Sequence, residues 1–190
     1  SQKSSGYTLN RAYQSFRQPG SSIKPLIDYT PSLERNYTPD SSVNDHKFSG
    51  GPSNASGRYY GYVSLRFALE QSLNTVAWQL FEELTPKVGL QYLLNMHFSK
   101  IVKKDYTNAT SIGGLTYGCS ALEMASGFAT LENDGKFRDP TCIVKILDSE
   151  GNTVVEDHVD ETYIYDSKAA NTMVDMMEGV FTRGTARGLG

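Results

Sequence analysis

From about residue 64 onward the apolar residues of this chain recur at helical spacing, whereas before it they are scattered among polar ones. Leu65, Ala68 and Leu69 share one face of a segment running from Ser64 to Gln71, and Val76, Leu80, Phe81 and Leu84 mark the apolar face of a second. The two are interrupted at Ser72-Leu73-Asn74. Thr85-Pro86, a cap residue followed by proline at the first helical position, predicts a third helix with Val88, Tyr92 and Met96 at four-residue spacing. Ser120 with Glu123 three residues on forms the pattern of a capping box, and the helix it opens, through Leu122, Ala125, Phe128 and Ala129, stops at Asn133-Asp134-Gly135. Between Cys142 and His158 the pattern changes to β-branched residues around a turn, CIVKIL, DSEGN and TVVEDHV, which reads as a hairpin and is the one β element the pattern declares. A last helix, capped by Ser167, carries Ala170, Met173, Val174, Met177 and Val180 and gives way to a loop at Arg183-Gly184-Thr185-Ala186.

The amino-terminal third is less periodic. Residues 1–19 read as a lead-in loop with Tyr7, Leu9, Tyr13 and Phe16 interspersed. A short helix is expected to start at Ser21 or Ser22, with Pro25 in or near its first turn, where a missing N–H costs least, and to end before Pro31. Residues 30–61 are crowded with Pro, Ser, Asn, Asp, Gly and Tyr and read as a long connection, of a length more often functional or flexible than incidental. No internal repeat is present. The expected fold is mainly α with a β-hairpin.

Composition narrows the function classes. With 190 residues, 38% of them hydrophobic, there is material for one core, and a net charge of −3 gives no basic signature for nucleic acid. No apolar run approaches the roughly 18 residues needed to cross a bilayer, and the amino end has neither the basic start nor the apolar stretch of a signal peptide. Cys119 and Cys142 are the only cysteines; no Cys/His grouping has metal-ligand spacing, so no metal is expected, and two buried thiols or one disulfide remain as alternatives.

Candidate chemistry begins at Ser21-Ser22-Ile23-Lys24. A serine hydroxyl is a weak nucleophile until a base removes its proton, and a lysine three positions later on a helix lies on the same face. Such a lysine must be neutral to act, yet an unperturbed amine is neutral in only about one molecule in two or three thousand at pH 7. Desolvation or a nearby cation would have to lower its proton affinity. An unpaired N–H at the helix start, that of Ser21 itself, could help hold an oxyanion. Ser-x-x-Lys also occurs by chance, and Ser72 and Asn74 can be read either as capping residues in a helix-to-helix turn or as a proton relay and a substrate-orienting amide. His46, His97 and His158 lack the Gly-x-Ser-x-Gly elbow of a Ser-His-Asp hydrolase, and Gly113-Gly114-Leu115-Thr116-Tyr117-Gly118 lacks the Gly-Lys-Ser/Thr ending of a phosphate loop.

Longer stretches decide between these readings. RQPGSSIKP, GYVSLRFALEQSLNTVA and SIGGLTYGCSALEMASGFATLENDGKF resemble, in order and over nearly the whole chain, the penicillin-binding transpeptidase domain, most closely that of the class A, bifunctional peptidoglycan synthases. Ser-x-x-Lys and Ser-x-Asn are two of that family's three signature motifs, the third being Lys-Thr-Gly. The resemblance implies Ser21 as the acylated nucleophile, Lys24 as its base and Ser72 with Asn74 as the second motif, with no cofactor. It implies the helical portion of the α+β transpeptidase fold, residues 1–190 forming a partial domain cut at both ends, with most of the central sheet and the Lys-Thr-Gly motif outside the chain. The implied activity is D,D-transpeptidation of peptidoglycan stem peptides, with acylation by β-lactams, on the outer face of the bacterial cytoplasmic membrane. Attachment to that membrane would come only through other parts of the parent, and the chain alone is expected to be inactive and to self-associate through the apolar face left open by the missing sheet. A non-catalytic sensor or scaffold of the same fold, and a serine β-lactamase, are the competing readings. The glycine-containing stretch 113–118 is implied to be a packing loop beneath the site.

Overall fold

A computed structural model of the chain describes residues 9–141, 145–156 and 160–188. Cys142 and His158 lie outside the described residues. A two-residue strand β1 (Phe16–Arg17) leads into a helical run, α1, that changes pitch twice: a 3₁₀ turn (Gly20–Ile23), a π turn (Pro25–Tyr29) and an α turn (Thr30–Leu33). Strands β2 (Ser42–Asp45) and β3 (Gly61–Ser64) follow, then α2 (Leu65–Glu70), α3 (Asn74–Leu84) and α4 (Pro86–Asn95). Beyond two 3₁₀ turns come β4 (Cys119–Ser120), α5 (Ala121–Glu132), β5 (Lys136–Arg138), the hairpin β6 (Lys145–Leu147) and β7 (Thr153–Glu156), β8 (Glu161–Tyr163) and α6 (Ser167–Thr182).

The helices predicted from periodicity form where expected, and the capping box at Ser120 makes both reciprocal bonds: the Ser120 hydroxyl accepts from the Glu123 N–H (3.2 Å) and the Glu123 carboxylate from the Ser120 N–H (2.7 Å). Other expectations need correction. The first helix does not end before Pro31. In the i→i+5 register of its π turn the carbonyl of Leu26 faces Pro31, which has no N–H, and the buried hydroxyl of Tyr165 donates to that carbonyl instead (2.6 Å). The span 30–61 is not a structureless connection, because β2 and β3 pair within it, antiparallel, from Ser42 opposite Ser64 to Asp45 opposite Gly61. The lead-in also contributes a ladder, β1 with β4, and β5 pairs with β8 around the predicted hairpin. At α6 the cap is Asp166, whose carboxylate accepts from the N–H groups of Lys168 and Ala169, while Ser167 donates to the carbonyl of Asp134. Thr85 occupies the cap position of α4 but its side chain makes no capping bond.

The core lies between α1 and the helices around it. Ile23, Leu26 and Ile27 of α1 are fully buried, α3 and α4 bring Phe81, Leu90 and Leu93 against them, and Met173 and Met176 of α6 close the far side. Each such side chain contributes roughly 1.5–3 kcal/mol of burial. Thus the helix expected to carry the nucleophile is the central element of the molecule. Its start is seated on the loop 113–118: Gly113 has φ of +90°, and a Cβ there would sit 2.4 Å from the Cα of Gly20, so only glycine allows that approach. Gln18 clamps the same loop, its side-chain amide exchanging both hydrogen bonds with the backbone of Leu115. No described helix is long and apolar enough to cross a membrane.

Candidate active site

The first turn of α1 presents Ser21 and Ser22 to the surface and turns Lys24 inward, leaving the lysine 1% exposed. The Ser22 hydroxyl is engaged by the carbonyl of Pro19 (2.6 Å). The buried amine of Lys24 donates three hydrogen bonds, to the carbonyl of Ser72 (2.8 Å), the hydroxyl of Ser72 (3.1 Å) and the side-chain oxygen of Asn74 (2.8 Å). The break between α2 and α3 is therefore the place where the lysine is held. Burial in this setting lowers the Lys24 pKa from 10.5 to about 8, against an opposing upward pull from the Asp28 carboxyl. At pH 7 roughly one molecule in ten then carries a neutral amine.

That break has a defined geometry. The N–H groups of Ser72 and Leu73 return to the carbonyls of Leu69 and Ala68, a helix ending that places its outer residue in the left-handed region. Glycine usually occupies that position; here it is Ser72, at φ of +51°. A residue held in that region costs on the order of 1 kcal/mol, and here it points both a carbonyl and a hydroxyl at one amine. Asn74 then begins α3. Its side-chain N–H₂ donates to the carbonyl of Ser53 (2.9 Å), which fixes the amide so that its oxygen faces Lys24.

A second layer, not readable from the sequence, holds Asn74 in turn. The side-chain oxygen of Asn54 accepts from the backbone N–H of Asn74 (2.8 Å), capping α3 from a distant loop, and the Asn54 amide donates to the Asp45 carboxylate (2.7 Å) and to the carbonyl of Arg58 (2.8 Å). Asp45, fully buried at the end of β2, also accepts from the Thr75 hydroxyl and the Tyr60 N–H (2.8 Å). The β2–β3 pairing that the sequence reading missed is what carries Asp45 to this place.

Ser21, Lys24 and Ser72 line one cleft of about 310 Å³. Its remaining wall is mostly apolar, from Pro25, Leu69, Phe128, Met177, Val180 and Phe181, with Thr185 at the edge. Asn74 reaches Lys24 from behind that lining. The segment after α6 is tied to the end of α2: Arg183 donates to the nearly buried Glu70 carboxylate (2.6 Å), and the Thr185 N–H donates to the carbonyl of Glu70 (3.0 Å). Gly179 and Gly184 permit this closeness, since a Cβ on either would fall 2.2–2.3 Å from atoms of Glu70. The arrangement supplies an exposed hydroxyl, a buried amine of lowered proton affinity, a second hydroxyl bonded to that amine, and an apolar wall.

None of the cleft residues is a histidine. His46 is exposed beside Phe48, and His97 pairs with Asp139 in a separate region. Cys119 is buried, its thiol pushed up to about 11 by burial and by Glu123, which leaves it protonated at neutral pH. Among the described residues no group of His, Cys, Asp and Glu could hold a metal ion.

A family model described as the penicillin binding protein transpeptidase domain matches residues 1–190. Penicillin-binding protein 4 of Bacillus subtilis is 35% identical over 185 residues, covering 95% of this chain and 30% of that protein. Penicillin-binding protein 1A of Clostridium botulinum is 28% identical over 193 residues, covering 94% of this chain and 23% of its own length. The chain thus spans less than a third of these relatives. Among solved structures, penicillin-binding protein 1A from Haemophilus influenzae superposes with a TM-score of 0.77 at 24% identity, over 93% of this chain and 32% of that one. PonA1 from Mycobacterium tuberculosis in complex with penicillin V gives 0.77 at 21% identity, over 92% of this chain and 50% of that one. These likenesses show the fold, a mainly helical body with short strand pairs that forms part of an α+β domain. Matched over its whole length by the family model, this chain belongs to the penicillin-binding protein transpeptidase domain family.

Proposed function

We propose that this chain carries the nucleophile side of a serine D,D-transpeptidase site that cross-links peptidoglycan stem peptides outside the bacterial cytoplasmic membrane and is acylated by β-lactams. The observation that supports this reading is the Lys24 amine, buried, lowered to about 8 and bonded to Ser72 and Asn74, in the cleft that Ser21 enters. PonA1, of the same fold, is described in complex with penicillin V.

In this mechanism neutral Lys24 takes the proton of the Ser21 hydroxyl as its oxygen attacks the penultimate D-alanine carbonyl. The N–H of Ser21, in the first turn of α1 where no earlier helical carbonyl can receive it, faces the developing oxyanion. As the amide C–N bond breaks, the proton on Lys24 passes through the Ser72 hydroxyl to the departing D-alanine nitrogen. An acceptor amine then attacks the ester, its proton returns by the same relay, and the Ser21 oxygen leaves as a hydroxyl. Asn74 orients the amine. In a β-lactam the ring C–N bond is the one that breaks, and the leaving nitrogen stays tethered.

Mass spectrometry after penicillin treatment tests the reading, on this chain and on a version extended through the Lys-Thr-Gly motif. A stable adduct on Ser21 in the extended form, absent from Ser21→Ala, is expected; an adduct on another serine removes the assignment. Rapid turnover of the adduct would make the protein a β-lactamase, and no adduct in either form would make it a sensor or scaffold.

A further inference from the structure

Four residues beyond Lys24 on α1 lies Asp28, fully buried, with neither carboxyl oxygen hydrogen-bonded to any group among the described residues. Buried carboxyl groups are nearly always paired or hydrogen-bonded, because an isolated buried charge is expensive. Positions four apart on a helix share a face, so Asp28 stands beneath the lysine the mechanism uses. The buried faces of the packed helices α3 and α4 carry no ionisable side chain. The titratable groups around this stretch are Lys24, Asp28 and Tyr29 on α1, the Tyr29 hydroxyl also being buried without a hydrogen-bond partner among the described residues, Asp45 from β2, and Tyr165, whose hydroxyl is held by the Leu26 carbonyl.

We propose that Asp28 is a positioning residue for the acyl-transfer reaction, an electrostatic counterweight that sets whether Lys24 is a charged ammonium or a neutral base. This deepens the transpeptidase reading and rests on it. An ionised Asp28 holds Lys24 charged; a protonated Asp28 leaves burial unopposed and frees the amine. The two net-neutral forms of the pair, carboxylate with ammonium and carboxylic acid with amine, contain the same number of protons. Changing between them therefore leaves no net charge in the core, the condition that makes the change affordable there. The protons of the amine are directed to Ser72 and Asn74 and not to the carboxyl, so in this change Lys24 gives its proton to solvent through the cleft it lines and Asp28 takes one up from solvent. Burial lifts Asp28 well above the usual carboxylate range while Lys24 pulls it down, and Asp28 pulls Lys24 up, so the two titrations are coupled.

The test reads the lysine directly. In lysine-labelled chain the side-chain resonance of Lys24, assigned with Lys24→Met, is followed by NMR against pH. Its midpoint is expected near pH 8 and should move down by about one pH unit in the isosteric Asp28→Asn. An unchanged midpoint in folded Asp28→Asn overturns the proposal. Should that variant not fold, carboxyl-labelled aspartate in the unsubstituted chain decides: Asp28 should show an inflection at the lysine midpoint that Lys24→Met abolishes, and a single inflection indifferent to Lys24→Met is the overturning result. These titrations need no turnover. Loss of the Ser21 adduct would sink the transpeptidase reading and leave them intact, while a coupling-free titration would sink the role of Asp28 and leave acylation intact.

Discussion

Asp45 and Asp28 are both fully buried carboxyl groups near the lysine, and the chain treats them in opposite ways. Asp45 receives hydrogen bonds from Asn54, Thr75 and the backbone of Tyr60, and through Asn54 it fixes the start of α3. Asp28 receives none among the described residues. A satisfied carboxylate is a construction element: it joins a strand, a loop and a helix end, and its removal leaves several donors unpaired. A bare one builds nothing, so its cost to the fold has to be sought in what its charge does to a neighbour. One site thus uses the same functional group for geometry on one side and for electrostatics on the other.

The largest effect expected from this contrast belongs to Asp45→Ala, which orphans the buried amide of Asn54 and the hydroxyl of Thr75. It should lower stability by about 3–5 kcal/mol in urea unfolding. A loss under about 1 kcal/mol would break the comparison at its structural end.

Next is the pH dependence carried by Lys24. Its folded-state pKa, about 8, lies below the unfolded value of 10.5, so between those values the unfolded chain binds more protons. Stability from this group is therefore lowest below pH 8 and rises as pH climbs toward 10.5, by about 3 kcal/mol in all. Denaturation curves of the unsubstituted chain and of Lys24→Met should diverge across that window, and parallel curves would mean that the lysine is not desolvated. Asp28 acts in the opposite sense. Its pKa is raised on folding, so its burial weakens the fold progressively as pH rises above the ordinary carboxylate value.

A smaller effect is predicted for Asp28→Leu, which exchanges a polar group without a hydrogen bond for an apolar one of the same branching. At pH 9, where Lys24 is largely neutral and loses no counter-charge, it should raise stability by about 1–2 kcal/mol, whereas the same change at Asp45 destabilises. Loss of stability at both positions would show that Asp28 has a partner after all. The smallest is Ser72→Gly, which relieves the left-handed backbone and should add about 0.5–1 kcal/mol in thermal or urea unfolding while removing one partner of the lysine.

How much of this was legible depended on sequence distance. Ser21 and Lys24 could be paired because three residues on a helix is a fixed geometric rule, and Ser72 and Asn74 stood out as the polar interruption between two apolar faces. Asp45 and Asn54 could not be found. They lie in a stretch of small and polar residues with no period, and four-residue strands such as β2 and β3 are too short to show alternation. β5 and β8 escaped for a related reason, since each has three residues and the hairpin separates them. Pro31 misled because the local rule for proline is sound, while the hydroxyl that overrides it belongs to Tyr165, 139 residues from its acceptor. Asp28 was hidden inside the apolar run of Pro25-Leu26-Ile27, where nothing local marks a carboxyl that the fold will leave bare.

The clasp at Glu70 has a consequence for whatever enters the cleft. Its carbonyl and its carboxylate both grip the segment that follows α6, so the wall bearing Phe181 and Thr185 moves together with the helix end that carries Ser72. An incoming ligand meets two walls already joined by hydrogen bonds, and less of its affinity is lost to ordering this side of the receptor. Discrimination on this side of the site then leans on fit to linked walls more than on jaws closing on arrival.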